Sequence, residues 1–492
     1  MRLSNIISLY KGVNSDGFSD REVSGIAYDS RRVKPGDVFV CIKGFKADGH
    51  DYASAAVGSG AVAVVSERAV AVDADNIIVD DARLALAFMS SKFYGEPSRN
   101  MKIIGVTGTN GKTTVTYLIK AILEAADCRV GLIGTNQNLI MNEPVASEYT
   151  TPESLELNEL LARMYERGIS HVVMEASSHS LELNRVAYCD FDVGVFTNIT
   201  QDHLDFHGDM DNYKLAKSKL FNMCKTAVVN VDDEFGVDIM TNCRAVAVSY
   251  GINSVADVFA QHIELGADHV EFFCDALGKG VNIHLGMPGM YNVYNALASI
   301  GAAAVCGVST DDMKRGLANV RGVSGRCEMV DIDADFSVMI DYAHTPDGLE
   351  NILKSARGFC TGRVITVFGC GGDRDKTKRE IMGQIAGELS DFCVITSDNP
   401  RTEDPMDIID GIEQGMKSTN CEYIVIENRR AAIERAISIA RENDLIIIAG
   451  KGHENYQILK DGKIPFDEKK IVKEIYERIS QKTVVDNVNN EE

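Results

Sequence analysis

Short, almost wholly apolar runs alternate with stretches whose apolar residues recur every three or four positions, and this pattern repeats along most of the chain. It predicts strands feeding helices, hence an α/β protein with mostly parallel sheets covered on both faces. Strand-like runs at 38–42, 61–65 and 76–79 mark a first unit, residues 1–98. In a second unit, 99–325, strands at 101–106, 171–175, 192–197 and 226–231 alternate with helical stretches at 112–126, 152–167 and 211–222. A β-rich insertion is expected at 255–287 and a helix at 291–306. A third unit, 326–492, carries apolar strands at 338–340, 364–368, 392–396 and 445–449, each running into a polar loop. Pro97 to Asn100 reads as a linker, and the polar tail from Thr483 as a frayed end.

The length of 492 residues suits about three domains. The formal charge of −22 argues against a general binder of nucleic acid or anionic membrane. No window approaches the ~20 apolar residues of a membrane span, and Met1–Lys11 lacks the layout of a signal peptide. The twelve cysteines form no Cys-x-x-Cys pair and sit mostly in apolar runs, so reduced cysteines in a cytoplasmic setting are expected and a zinc site is not.

The segment 103–114 changes the picture. An apolar run ends in a turn with Gly105, Gly108 and Gly111, then Lys112, Thr113 and Thr114 open a helical pattern. Strand, glycine-rich loop and helix N-terminus make a phosphate cradle of backbone N–H groups, here including Thr109 and Asn110. Lys112 is placed to reach the β/γ-phosphates and the Thr113 hydroxyl to ligate Mg²⁺. The usual loop has its first glycine six residues before the lysine; here that position is Val106.

Two further strands end in chemistry at the same edge of the sheet. Glu175 closes 171–175 and is placed to hold Mg²⁺, although a solvated loop glutamate reads the same way. Asp202 and His203 follow 192–197, and His203 is the better candidate for a second metal ligand once paired with Glu175. The helix at 211–222 carries Lys214, Lys217 and Lys219, which periodicity alone leaves as a solvated basic face.

Three motifs follow the loop in order: Glu175-Ala-Ser-Ser-His179; Thr197-Asn-Ile, then Asp202-His-Leu-Asp205 and His207; and Tyr213 with Ala216-Lys217. In this order, and with this form of phosphate loop, the chain resembles the Mur ligases, from about Tyr28 to Gln457. The resemblance implies a three-domain architecture with a central P-loop ATPase domain, an N-terminal domain for a UDP-sugar and a C-terminal Rossmann-like domain for an amino acid. It implies ATP and Mg²⁺ as cofactors, and carbamylation of Lys217 to help hold a second Mg²⁺. On the nucleotide side it points to Asn292, Asn295, Arg326, Asp341 and His344. Arg326 taken alone reads equally as a surface arginine at a domain boundary. On the UDP-sugar side it points to Tyr28, Ser30, Phe45, Lys46 and Ala47, with Thr150, Thr151, Ser177 and Arg185 near the muramoyl-peptide. Tyr149 stands where the family often has asparagine.

Specificity rests on Asp398-Asn399-Pro400-Arg401, which resembles the motif of family members that add meso-diaminopimelate. Arg374, Gly450 and Glu454 match the rest of that pocket. An arginine waiting for a distal carboxylate discriminates against lysine, by up to ~10⁴-fold in a buried site. The implied substrates are UDP-N-acetylmuramoyl-L-alanyl-D-glutamate and meso-diaminopimelate, handled by a monomer with no nucleic-acid or membrane partner. The rivals are a lysine-adding ligase of the same family, a folylpolyglutamate-type ligase and a P-loop nucleotide switch. Against the switch, no apolar run ending in aspartate follows the loop as a separate metal-binding strand.

Overall fold

The computed structural model describes residues 1–13, 17–45, 47–146, 149–266 and 268–490, with side chains to 480. Among the described residues three large sheets organise the chain, beside a two-stranded ribbon of Tyr456–Leu459 and Gly462–Pro465. The first has four parallel strands in chain order, Gly25–Ala27, Asp37–Val40, Ala63–Ser66 and Asp75–Ile78.

The second sheet has eleven strands. Lys102–Thr107 lies inside it, paired in parallel with His171–Glu175 on one side and Phe191–Phe196 on the other. Strands buried on both faces read as continuous apolar runs, as Ile103 to Val106 does. One face packs on the helices Lys112–Ala125 and Met290–Val305 through Val115, Leu118, Ile119, Val293 and Leu297. The other packs on Ser154–Glu166 and Met210–Met223 through Leu157, Leu161, Leu220 and Phe221. The expected insertion forms three antiparallel-linked strands, Val258–Leu265, Val270–Ala276 and Lys279–Leu285, which extend this sheet to its outer edge.

The third sheet runs Glu328–Met329, Ser337–Asp341, Leu445–Ala449, Val364–Phe368, Phe392–Ile395, Glu422–Val425, parallel except at its first strand. Beneath it Arg429 and Glu468, both wholly buried, form an ion pair at 2.6 Å, and Arg429 also donates to Ala449 O.

Two local expectations change. Pro97–Asn100 is a 3-10 turn with Pro97 and Ser98 buried, so the segment is packed rather than a free linker. The tail expected to fray from Thr483 continues the last helix, Glu468–Asn490.

Candidate active site

The phosphate loop is shaped by two glycines that nothing larger can replace. Gly108 has φ +149°, and a Cβ there would stand 1.9 Å from Thr197 Oγ1. Gly111 has φ +83°, and its Cβ would stand 2.5 Å from Asn295 Oδ1. Gly111 caps the helix without a side chain, leaving the first-turn N–H groups to face an anion. Asn198 braces the loop, its carbonyl accepting from Thr109 N at 2.8 Å and its Oδ1 from Asn110 N at 2.9 Å.

Two lysines converge on one loop carbonyl. Lys112 Nζ donates to Gly108 O at 3.0 Å and Thr109 O at 2.8 Å, while Lys217 Nζ donates to Gly108 O at 2.7 Å. Burial, and then the Lys112 charge, push the Lys217 ammonium well below its ordinary pKa. Lys217 also lies 4.4 Å from the centre of the Tyr213 ring.

Glu175 is buried and receives the Thr113 hydroxyl at 3.0 Å, Thr135 N at 2.8 Å and the Thr135 hydroxyl at 3.0 Å. The paired hydroxyl and carboxylate oxygens of Thr113 and Glu175 are the hard donors Mg²⁺ takes, so this end of the site fits the ion. His203 has its Nε2 3.3 Å from Asp202 and its ring against His179, with the Tyr213 ring 6.3 Å away. Among the described residues, no three His, Cys, Asp or Glu side chains gather at the phosphate loop as a ligand set. His203 contacts Asp202 on one side and lies within reach of the Lys112 and Lys217 charges on the other, so it borders the same loop that Glu175 borders. Burial, opposed by Asp202, holds the His203 pKa below its usual range.

Beside the loop opens a cavity of about 300 Å³ lined by Asn110, Gly111, Thr113, Thr114, Asn292, Asn295, Arg326 and Asp341, among others. Arg326 crosses from the third sheet's side, donating to Thr113 Oγ1 at 3.2 Å and lying over the Tyr342 ring at 4.5 Å. Its Nε is buried without a partner, which suits an anionic guest. Asp341 does not face a ligand freely; its carboxylate accepts from Cys327 N and Ala343 N, both at 2.7 Å, and so sets the turn beneath Arg326.

His344, expected on the nucleotide side, lines a different cavity of about 160 Å³. Its Nδ1 is held at 2.9 Å from Tyr342 O, which turns the ring away from the nucleotide cavity's wall. Asp202, His203 and Asp205 form one side of this second cavity, and Arg374, Asp398, Asn399, Arg401, Gly450 and Glu454 the other. Arg401 adopts φ +55°, and its Nη1 donates to Gly372 O at 2.7 Å. Pro400 does not line the cavity; its carbonyl abuts Gly372, where a Cβ would come within 2.0 Å.

Sequence reasoning missed the residue buried behind this pocket's wall. Lys451 is wholly buried and donates to Asn399 Oδ1 at 3.0 Å and Glu454 Oε2 at 3.1 Å, with Asp398 Oδ1 at 3.6 Å. A lysine between two glycines in a loop reads as solvated. The available signal was its place directly after Leu445–Ala449, whose loop lies at a carboxyl end of the parallel sheet.

Of the expected UDP-sugar residues, Tyr28 donates to Glu156 at 2.8 Å and lines a cavity of about 330 Å³ with Arg32, Tyr149 and Arg163. Ser30 opens the 3-10 turn Ser30–Arg32; Ala47 is exposed. Phe45 is 76% exposed and touches the central domain through Phe206, ring centres 5.8 Å apart. Lys46 lies outside the described residues. Thr151 donates to Glu175 O at 2.7 Å and lies 3.3 Å from the Ser177 hydroxyl, and Arg185 donates to Thr151 O at 3.2 Å. Arg185 also pairs with Glu153 and lies over the Tyr149 ring at 4.8 Å, so Tyr149 serves as its stacking partner. Thr150 accepts from the Thr135 hydroxyl at 3.1 Å.

A fourth and wider cavity, about 860 Å³, joins these sites. It shares Tyr149 with the Tyr28 cavity, Glu454 with the Arg401 pocket and Tyr342 with both the Arg401 pocket and the nucleotide cavity.

A phosphate loop whose nucleotide cavity meets two other ligand cavities at the junction of three sheets defines a nucleotide-dependent enzyme that joins two further substrates. Comparison with known proteins narrows this. Residues 22–94 match the "Mur ligase family, catalytic domain", 106–303 the "Mur ligase middle domain" and 325–452 the "Mur ligase, glutamate ligase domain". The chain belongs to the Mur ligase family. It is 49% identical over 475 residues to UDP-N-acetylmuramoyl-L-alanyl-D-glutamate--2,6-diaminopimelate ligase of Caldanaerobacter subterraneus, covering 96% of this chain and 98% of that protein. It is 48% identical to the protein of the same name from Clostridium botulinum, covering 93% and 96%. A solved structure of a ligase of that name superposes with a TM-score of 0.71 at 30% identity, covering 98% of this chain and 99% of the other. A MurF ligase of Thermotoga maritima in complex with ADP shares the fold, with a TM-score of 0.64 at 19% identity over 93% and 98% of the two chains. Among the described residues, no helix is long and apolar enough to cross a membrane.

Proposed function

We propose that this chain is an ATP-dependent amide-forming ligase that adds meso-2,6-diaminopimelate to UDP-N-acetylmuramoyl-L-alanyl-D-glutamate in peptidoglycan biosynthesis. The observation that carries the choice of amino acid is the cavity between Arg374, Arg401 and Glu454, whose wall Lys451 braces from behind. It offers the guanidinium groups of Arg374 and Arg401 to carboxylates and the carboxylate of Glu454 to an ammonium, a match for a molecule with both at a distal end.

When bound, ATP supplies the phosphoryl group that activates the D-glutamate γ-carboxylate as an acyl phosphate, and Mg²⁺ neutralises phosphate charge. The chain's own work is positioning and electrostatics. Loop N–H groups and the helix N-terminus hold the phosphates, and Lys112 exchanges its loop carbonyls for them. Thr113 and Glu175 would hold one ion, and His203, near Lys112 and Lys217, would help hold a second. The depressed Lys217 pKa supports the carbamylation that the family resemblance implies, since only a neutral amine takes up CO₂. Arg185, Thr151 and Ser177 hold the peptide end of the UDP-sugar, and Tyr28 the far end. The wide cavity past Tyr149, Tyr342 and Glu454 gives the acyl group and the amine a shared space.

The test is product mass after incubation with ATP, Mg²⁺, the UDP-muramoyl dipeptide and either diaminopimelate or lysine. Diaminopimelate should be incorporated at a kcat/KM at least ~10³-fold higher. Arg401→Ala should raise the KM for diaminopimelate and leave that for ATP within about twofold; equal loss of both would reduce the loop to scaffolding.

A further inference from the structure

Far from the phosphate loop, the outer edge of the central sheet carries three side chains that the reaction does not use. Val270–Ala276 and Lys279–Leu285 pair antiparallel with Glu271 directly opposite His284. His269 precedes Glu271 by two residues, which places it on the same solvent-facing side. One donor atom from each of His269, Glu271 and His284 lies within 4.8 Å of the other two. We propose that these three residues form a binding site for a divalent transition-metal ion, zinc by ligand type, which clamps the edge of the sheet.

Two imidazoles and one carboxylate are the donor set zinc favours, with a fourth position left to water. Mg²⁺ prefers oxygen donors alone, so the ion of the phosphate loop has little claim on this site. The supporting contacts have the layout of a metal centre. Asp268 stands 2.8 Å from His269 Nδ1, as a carboxylate stands behind a metal-bound imidazole, and the donors Glu271 and His284 already meet at 2.9 Å. The two rings are stacked with centres 5.2 Å apart.

Two independent features make sense with a cation present. Across its other neighbour, Glu271 faces Glu264 directly, a like-charge pair that destabilises a sheet unless something neutralises it. Gly266 donates to His269 O at 2.9 Å, and a Cβ on it would come within 2.4 Å of the His269 ring, so Gly266 packs directly against that imidazole. Lys279–Leu285 is the last strand on this side, and an ion tying it to His269 and Glu271 would restrain an edge open to fraying or to pairing with another chain.

The test uses full-length protein freed of metal with a chelator, titrated with ZnCl₂ by calorimetry, with Co²⁺ absorption as a geometric probe. Wild type should take up one more equivalent of Zn²⁺ than His269→Asn/His284→Asn. Saturating Zn²⁺ should raise its Tm by about 3–8 °C, a shift absent from the variant. The Mg²⁺–ATP ligase rate of both should agree. The site is refuted if wild type and variant bind the same number of zinc ions with the same Tm shift, which would assign the metal to the free cysteines, or if wild type takes up none at 100-fold excess. Glu271→Gln supplies a milder variant should the double substitution unfold, and it should weaken Zn²⁺ affinity at least ~10-fold.

Discussion

Replacing Lys451 with methionine, close in length and without charge, isolates what its ammonium does. In the folded protein it touches Asn399 at 3.0 Å and Glu454 at 3.1 Å, and lies 3.6 Å from Asp398, with no exposure of its own. Removing it leaves two carboxylates facing each other across a small cavity. Breaking a buried ion pair in this way costs about 3–5 kcal/mol. Part of that appears as lost stability of the third domain and part as a Glu454 that no longer points where an incoming ammonium needs it. Each 1.4 kcal/mol falling on binding is tenfold. The expected outcome is therefore a rise of ~10- to 100-fold in the KM for diaminopimelate, with the KM for ATP within about twofold. The assay is initial-rate phosphate release with each substrate varied in turn, alongside thermal denaturation. An unchanged diaminopimelate KM in a variant that melts normally would refute the reasoning, because it would mean Glu454 and Asn399 hold their places unaided. Lys451→Arg should not rescue, since the larger fork has no room in a fully enclosed position.

Gly108→Ala should abolish ATP-dependent turnover while leaving the fold intact by circular dichroism, because its Cβ would overlap Thr197 Oγ1 and its φ suits only glycine; measurable activity above ~1% would count against a rigid loop. Arg429→Met should destabilise by about 3–5 kcal/mol in urea unfolding by stranding Glu468, and Glu468→Leu added to it should restore most of that; simple additivity of the two losses would mean the pair is not coupled. Burial holds the pKa of both His344 and His453 down to about 4, against 6.5 unperturbed. Between those values the unfolded chain binds protons that the native one refuses, so stability is complete above pH 6.5 and falls toward pH 4, by about 1.4 kcal/mol per pH unit for each histidine. Urea midpoints from pH 7 to 4.5 should show that slope, and the His344→Asn/His453→Asn variant should be shallower by those two histidines' share, keeping the part that His179 and His203 contribute.

The parts of the fold legible in the sequence are those whose burial is complete. Ile103 to Val106 and Leu445 to Ala449 bury both faces, so their apolar runs mark them without ambiguity. The strands Val130–Ile133, Asn138–Ile140 and Glu143–Val145 went unread because they are short and carry glycine, asparagine, glutamate or proline. The phosphate loop was legible because its chemistry is local, five consecutive residues making one cradle. The amino-acid pocket was legible only as loops. The lysine behind its wall, Lys451, is held by Asn399, fifty-two positions away in the chain, and its only local signal is its place directly after the strand Leu445–Ala449. Arg326 is of the same kind: its partner Thr113 sits on another domain. His344, expected beside Asp341 from the family resemblance, lines the neighbouring cavity, because a turn of three residues suffices to face two side chains into different cavities.

Tyr342 is a wall of three chambers at once, the nucleotide's, the amino acid's and the wide one between them. One aromatic ring, pinned under the Arg326 guanidinium and against His453, is therefore a partition whose tilt sets the room available on every side. A guest that nudges it enlarges one compartment at the expense of another. Inhibitors built for either compartment should then compete with each other without overlapping, and a single molecule reaching around the ring could occupy both.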